Sequence, residues 1–290
     1  MKAKSGTPID FSQLISDHFE DLTKSEKRIA NYLRKNQEES AFISAAELAN
    51  RLGLSEATIV RFARTLGFDS YPTMREELQE NFRRRVTHSA RLRSKLDDMR
   101  EEGDIFEQVT VTEIDYLTQA LQSVSREALK DAVKAIIAHK NIFVFGTGPS
   151  ITLVDLLNVR LTRFGKHVIP LTTAGRELLE PLQLLTDQDI LLAIGFFDVN
   201  PSLQIVLEQA QEKNCTVIFL TDTLEALVSD KVDIVLSAKR GPVSAFHSLV
   251  VPMTIINTIL LDIANKDREN VMTNLDQLDH LRDYLKKIDN

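Results

Sequence analysis

One cysteine, Cys215, stands in a chain of 290 residues. A lone thiol cannot close an internal disulfide, so a reducing cytoplasm is the expected setting and a small packing residue the expected role. No stretch approaches the roughly 18 uninterrupted apolar residues of a membrane span. The opening MKAKSGTPIDFS carries basic residues but no apolar core, which excludes a secretory signal. There is no Pro-rich or Gly/Ser-rich linker and no internal repeat. His18, His88, His139, His167 and His280 are scattered, with no metal-ligand spacing. No Ser-His-Asp arrangement and no paired carboxylates of fixed geometry stand out. Neither a metal nor a cofactor is expected.

What is present is a soluble composition with an uneven charge. Hydrophobic residues make up 43% and charged residues 27%, and the length suits two domains. The net charge of −7 divides into +3 over residues 1–100 and −10 over the remainder. A mildly basic head on an acidic body confines any polyanion contact to the head. So small an excess calls for dimerisation or close docking to reach useful affinity.

The head reads as short helices. Thr23 and Glu26 form a capping-box pattern before a segment with Ile29, Ala30 and Leu33 on one face. Ser44 and Glu47 repeat the pattern. Gly53 permits a left-handed turn, with Leu54 tucked towards the core, and Ser55 is a good cap for the next helix. On that helix Ile59, Val60, Phe62, Ala63 and Leu66 share one side. Thr58, Arg61, Arg64, Thr65 and the small Ala57 share the other. Two helices joined by a tight turn can lay the second in the DNA major groove, where arginine donates twice to guanine. Ser55, Glu56, Thr58, Arg61 and Arg64 are the candidate DNA-facing residues, with Arg61 the foremost base reader. Glu56 could accept from a cytosine amine or serve the helix dipole. Arg83, Arg84 and Arg85 could reach phosphates, or simply complement a helix end. The pattern also fits an ordinary helical bundle with a polar outer face.

Residues 86–141 are charged and helical in period, with a break at Gly103 and a solvated connecting helix over 83–102. Ile105, Val109, Ile114, Leu117 and Leu121 follow at helical spacing and could meet the C-terminal domain or a second subunit. Beyond them, apolar runs at 141–146, 167–171, 189–196, 216–222 and 233–238 alternate with helical stretches at 149–164, 176–185, 201–213 and 223–230. Continuous apolar strands between helices predict a parallel sheet covered on both faces, with ligands at the strands' carboxyl ends. The first strand ends in Gly-Thr-Gly-Pro-Ser (146–150) before a helix. Ile151 replaces the third glycine of a dinucleotide fingerprint, no acidic residue follows the second strand, and no P-loop ending is present.

The run LTKSEKRIANYL…SAAELANRLGLSEATIVRFARTLGFDSYPTMREEL resembles the N-terminal domain of the RpiR/MurR family of bacterial transcription regulators. Gly146–Ser150 and the segment after it are similar to the first motif of sugar-isomerase-type (SIS) domains. The resemblance implies an all-α helix-turn-helix domain over 1–86, a helical linker over 87–124 and an SIS-like α/β domain over 125–290. That last domain would hold a five-stranded parallel sheet with helices on both faces. In such domains the first motif and a Ser-x-Ser-Gly-x-Thr loop after the third strand hold a phosphosugar. Here Gly195 and Phe197 stand at the serines, Asp198 at the glycine and Asn200 at the threonine. A carboxylate beside a phosphate repels it, which tells against the usual phosphosugar pocket. Candidate ligand residues are Gly146, Thr147, Gly148, Ser150, Asp198, Asn200 and Thr221. Phe196 and Phe197 read as sheet-end core.

Residues 244–264 read as one long apolar helix, which the resemblance places near the pocket and subunit interface. Leu249 stands where arginine is frequent, and Asn257 and Thr258 would need hydrogen bonds if buried. His247, Glu177 and Glu180 are the strand-end candidates for an isomerase base, none with a visible partner. The expected function is a cytoplasmic, homodimeric or homotetrameric, DNA-binding transcriptional regulator that senses a small carbohydrate-related metabolite. The alternatives are a phosphosugar isomerase with an appended helical domain and a DNA-binding assembly protein with a vestigial pocket.

Overall fold

The computed structural model describes residues 11–36, 40–85, 88–99, 103–196, 199–222, 224, 228, 230–240 and 247–288. The chain divides into two compact units, one running to Gln108 and one formed by Val109–Arg240 with Ser248–Asn290.

The first unit contains α1 (Phe11–His18), α2 (Lys24–Lys35), α3 (Ala45–Leu52), α4 (Glu56–Thr65), α5 (Tyr71–Arg85) and α6 (His88–Asp98). Residues 86–87 and 100–102 lie outside the described residues, so the connecting helix expected over 83–102 is described only as the end of α5 and as α6. Capping chemistry sets the helix starts. Thr23 and Glu26 form the full reciprocal box at α2. At α3 only half the expected box exists. Ser44 accepts from the Glu47 amide, but the Glu47 carboxylate turns to Arg51 Nη2 at 2.7 Å. Gly53 ends α3 with φ of 60°. Ile29, Ala30, Leu33, Leu48, Ile59, Phe62, Ala63 and Met74 close this unit's core. The Tyr71 hydroxyl donates to the Ile43 carbonyl and Gln79 Nε2 donates to the Ala41 carbonyl, both buried. Burial pushes the Tyr71 phenol up to about 12.

The second unit is the expected parallel sheet. Its strands are β1 (Asn141–Gly146), β2 (His167–Leu171), β3 (Ile190–Ile194), β4 (Thr216–Thr221) and β5 (Ile234–Ser237), in the order β2-β1-β3-β4-β5. All four pairings are parallel. Successive strand residues face opposite sides, so one sequence builds two cores. Ile142, Val144, Ile190, Leu192, Ile218 and Leu220 pack under α8 (Arg126–Ala138), α9 (Ile151–Arg163) and α12 (Val250–Lys266). Phe143, Phe145, Leu191, Ala193, Val217 and Phe219 pack under α10 (Arg176–Leu182) and α11 (Pro201–Glu212). Two further helices, α7 (Ile105–Ser123) and α13 (Arg268–Ile288), flank these elements in sequence.

One expectation needs correction. The last apolar helix begins at Val250 rather than 244; the Ser248 hydroxyl accepts from the Val250 amide at its start. Residues 241–246 lie outside the described residues, as does most of the helix expected over 223–230. Asn257 and Thr258 are exposed rather than buried, and the Thr258 hydroxyl donates to the Thr254 carbonyl. Cys215 is buried, its thiol donates to the Asp189 carbonyl at 3.3 Å, and burial pushes it up to about 12.

Candidate nucleic-acid interface and effector site

The outer face of α4 carries a short chain of hydrogen bonds. Ser55 caps the helix by accepting from the Thr58 amide. Its hydroxyl lies 2.8 Å from the Thr58 hydroxyl, and Arg61 Nη2 donates to Thr58 Oγ1 at 3.2 Å. These contacts set one guanidinium on the first exposed turns of the helix. Ser55, Glu56, Ala57, Arg61 and Arg64 are exposed and Thr58 is half-buried. Ile59, Phe62 and Ala63 form the buried side. Arg61 and Arg64 therefore lie on the accessible side of the helix, away from Ile59, Phe62 and Ala63.

Thr65 leaves that strip. Its hydroxyl donates to Glu26 Oε1 at 2.8 Å and ties α4 to α2. Burial pushes the Glu26 carboxyl up, but hydrogen bonds from Thr23 and Thr65 and the Arg61 charge outweigh it and hold it below the ordinary range. The side chains of Arg83, Arg84 and Arg85 lie outside the described residues.

In the second unit the described candidate ligand residues, Gly146, Thr147, Gly148, Ser150, Asn200 and Thr221, lie at or after the carboxyl ends of β1, β3 and β4. After Gly146 the chain passes through Thr147 and a single 3-10 turn, Gly148–Ser150, into α9. Gly148 has φ of 55°, which favours glycine. A side chain at Gly146 would approach Val154 Cγ2 to 2.8 Å and the Ser150 carbonyl to 3.2 Å. Strand and helix meet too closely here for anything larger. Ser150 is buried. Asn200 caps α11, its Oδ1 accepting from the Leu203 amide at 2.9 Å. Thr221 is fully buried and its hydroxyl has no hydrogen-bond partner among the described residues. Phe197 and Asp198 lie outside the described residues.

Gly195 has a packing reason that the motif comparison could not supply. A side chain there would meet Leu203 Cδ2 at 2.7 Å and the Phe219 ring at 3.1 Å. Lost serine chemistry at this position is the counterpart of a tight fit between β3, β4 and α11.

The sequence reading missed the strongest polar feature of this edge. Asp222, just after β4, pairs with Arg240, just after β5, at 2.8 Å, and both side chains are only 7% exposed. Nε and Nη2 of Arg240 both donate to Asp222 Oδ2. The guanidinium also stacks 3.7 Å above the Phe196 ring. Burial lowers the Arg240 pKa against the opposing pull of Asp222. One ion pair thus joins the ends of β3, β4 and β5. The signal was available as opposite charges at the ends of two strands, but only once those strands are known to be neighbours. Among the strand-end bases considered, Glu177 and Glu180 are exposed and His247 is half-buried. Among the described residues no group of His, Cys, Asp or Glu could hold a metal ion.

Fold and geometry define the class: a helix-turn-helix DNA-binding domain joined to a sugar-isomerase-like α/β domain. Residues 9–85 match the helix-turn-helix domain of the rpiR family and residues 135–261 match the SIS domain, together more than half of the chain. An HTH-type transcriptional regulator of Haemophilus influenzae is 26% identical over 238 residues, covering 81% of this chain and 80% of that protein. The NanR protein of Vibrio vulnificus, solved with ManNAc-6P, superposes with a TM-score of 0.66 at 20% identity, covering 95% of this chain and 99% of that one. The sugar isomerase domain of an RpiR transcription factor from Sphaerobacter thermophilus superposes with a TM-score of 0.58 at 26% identity, covering 61% of this chain and 99% of that one. The chain belongs to the rpiR family of helix-turn-helix transcriptional regulators.

Proposed function

We propose that this chain is a cytoplasmic transcription regulator in which α4 reads an operator and the strand ends of the second unit bind a carbohydrate-related effector. The hydrogen-bonded Ser55–Thr58–Arg61 face carries the first half of this reading. Arginine and threonine held on an exposed helix face match the donor and methyl pattern of the major groove. Residues 1–86 would act as the DNA-binding domain, 87–124 as a helical linker and 125–290 as the effector and oligomerisation domain.

The second half rests on Gly146–Ser150, Asn200 and Thr221 gathered at the carboxyl edge of the sheet. That edge is where ligands of open α/β sheets bind. The buried, unpartnered Thr221 hydroxyl is the polar atom there that most needs a partner. NanR binds a sugar phosphate, which makes sugar phosphates the first compounds to test. Turnover is not part of the proposal, since it assigns no base to this edge. Effector binding would act by shifting the spacing of two heads on two half-sites.

The experiment has two steps. The purified chain selects duplexes from a random pool, and the selected duplex is then titrated with sugar phosphates, free sugars and amines by fluorescence anisotropy. The proposal expects a two-half-site duplex that at least one sugar-related compound releases. Tight binding that none of the compounds alters, or isomerisation of a sugar phosphate, would contradict the effector role.

A further inference from the structure

The ends of β3, β4 and β5 hold a cation that packing alone does not explain. Arg240 is the only buried lysine or arginine among the described residues, at 6% exposed. Replacing a buried ion pair by apolar residues is often neutral or stabilising, so stability is a poor reason to keep one. Two neighbours fix the guanidinium plane. Asp222 Oδ2 accepts from one edge, from Nε at 3.2 Å and Nη2 at 2.8 Å. The Phe196 ring covers one face, its centroid 3.7 Å from the guanidinium carbon. A guanidinium carries five N–H groups. Asp222 takes two of them, and Nη1 makes no hydrogen bond among the described residues. Buried charged donors call for partners, so the Nη1–Nη2 edge is the part of this residue that a ligand can satisfy.

We propose that the Nη1–Nη2 edge of Arg240 binds a carboxylate of the effector, which makes the effector a sugar acid. This rests on the effector role proposed above and narrows its chemistry. Position agrees: Asp222 and Arg240 follow the neighbouring strands β4 and β5, at the carboxyl edge where ligands of open α/β sheets bind. Shape agrees too, because two in-plane N–H donors match the two oxygens of a carboxylate. With its plane held by Asp222 and Phe196, the guanidinium has little left to order when the ligand arrives. Charge decides the kind of anion. Asp222 already lies against Arg240, so an incoming anion leaves one cation between two anions. A carboxylate adds one negative charge and a phosphate ester adds nearly two, in a buried place where repulsion is poorly screened. The single charge costs less.

Calorimetric titration of the full chain tests this. The probes are aldonates, uronates and 2-keto sugar acids, set beside the matching neutral sugars, amino sugars and sugar phosphates. At least one sugar acid should bind the parent chain, and its neutral counterpart should not. The carboxamide of that acid should bind the parent at least tenfold more weakly, a comparison that needs no variant. Arg240→Lys keeps a charge for Asp222 but loses the planar fork, so it should also bind the acid at least tenfold more weakly. Circular dichroism reports whether that variant folds; if it does not, the carboxamide comparison decides alone. Equal binding of acid and carboxamide, or unchanged affinity in folded Arg240→Lys, would overturn the proposal. Binding of sugar phosphates, neutral sugars or amines alone would overturn it and leave the effector role standing. No binding by any probe would remove both.

Discussion

Glu26 shows how much one side chain can hold. Its carboxylate accepts from the Thr23 amide and hydroxyl at the start of α2 and from Thr65 at the end of α4. Because its folded pKa is depressed, its contribution is full above the ordinary carboxylate value of 4.5 and is lost as pH falls through the folded value. The melting temperature of the parent chain's first unit should therefore drop on acidification below that value, and Glu26→Gln should flatten the drop. The Asp222–Arg240 pair sets a larger stake. Asp222→Asn leaves a buried guanidinium without its counter-charge, which costs about 3–5 kcal/mol by analogy with other broken buried pairs. Denaturant unfolding checks this. An apolar double variant, Asp222→Leu/Arg240→Met, should recover most of the loss, because replacing both charges removes the desolvation penalty as well. At Gly195 the substitution that the SIS motif invites, Gly195→Ser, should destabilise the second unit by about 1–3 kcal/mol as Leu203 and Phe219 are forced apart. A stability equal to the parent's would show that the β3–α11 contact is looser than the structure has it.

Among the elements, the strands were legible because each is a short apolar run bounded by polar or glycine residues. The observed β1 to β5 fall within the expected ranges for that reason. Helix starts at Thr23, Ser44 and Ser55 and the turn at Gly53 were legible because each rests on chemistry within four residues. What sequence could not convey is competition and neighbourhood. Glu47 had two partners within reach and took Arg51 over the amide of Ser44. Thr65 sits on the polar side of α4 by angle, yet α2 captures its hydroxyl. The Asp222–Arg240 pair depends on β4 and β5 lying side by side, which periodicity does not reveal. An apolar run likewise does not mark where a helix begins, so α12 starts at Val250, later than its hydrophobicity suggested. The candidate ligand residues were legible as strand ends. Their individual roles were not: Asn200 is a helix cap, and Gly146 and Gly195 are close-approach positions.

For the whole molecule, the division of labour follows charge and exposure together. The basic excess sits in the first 100 residues, with the exposed α4 face, while the acidic body carries the sheet. Under the proposed function, a single helix-turn-helix with so small an excess would gain operator affinity from pairing its head with a second one. The central claim is that α4 reads base edges, and Arg61 is its most exposed test. The decisive measurement is an anisotropy titration of the selected duplex with the parent chain and Arg61→Ala at one fixed salt concentration. The account predicts a loss of about 1–3 kcal/mol in specific binding, relaxed preference at one base position in each half-site, and an unchanged melting temperature. Equal affinity and equal sequence preference in the two proteins would contradict it.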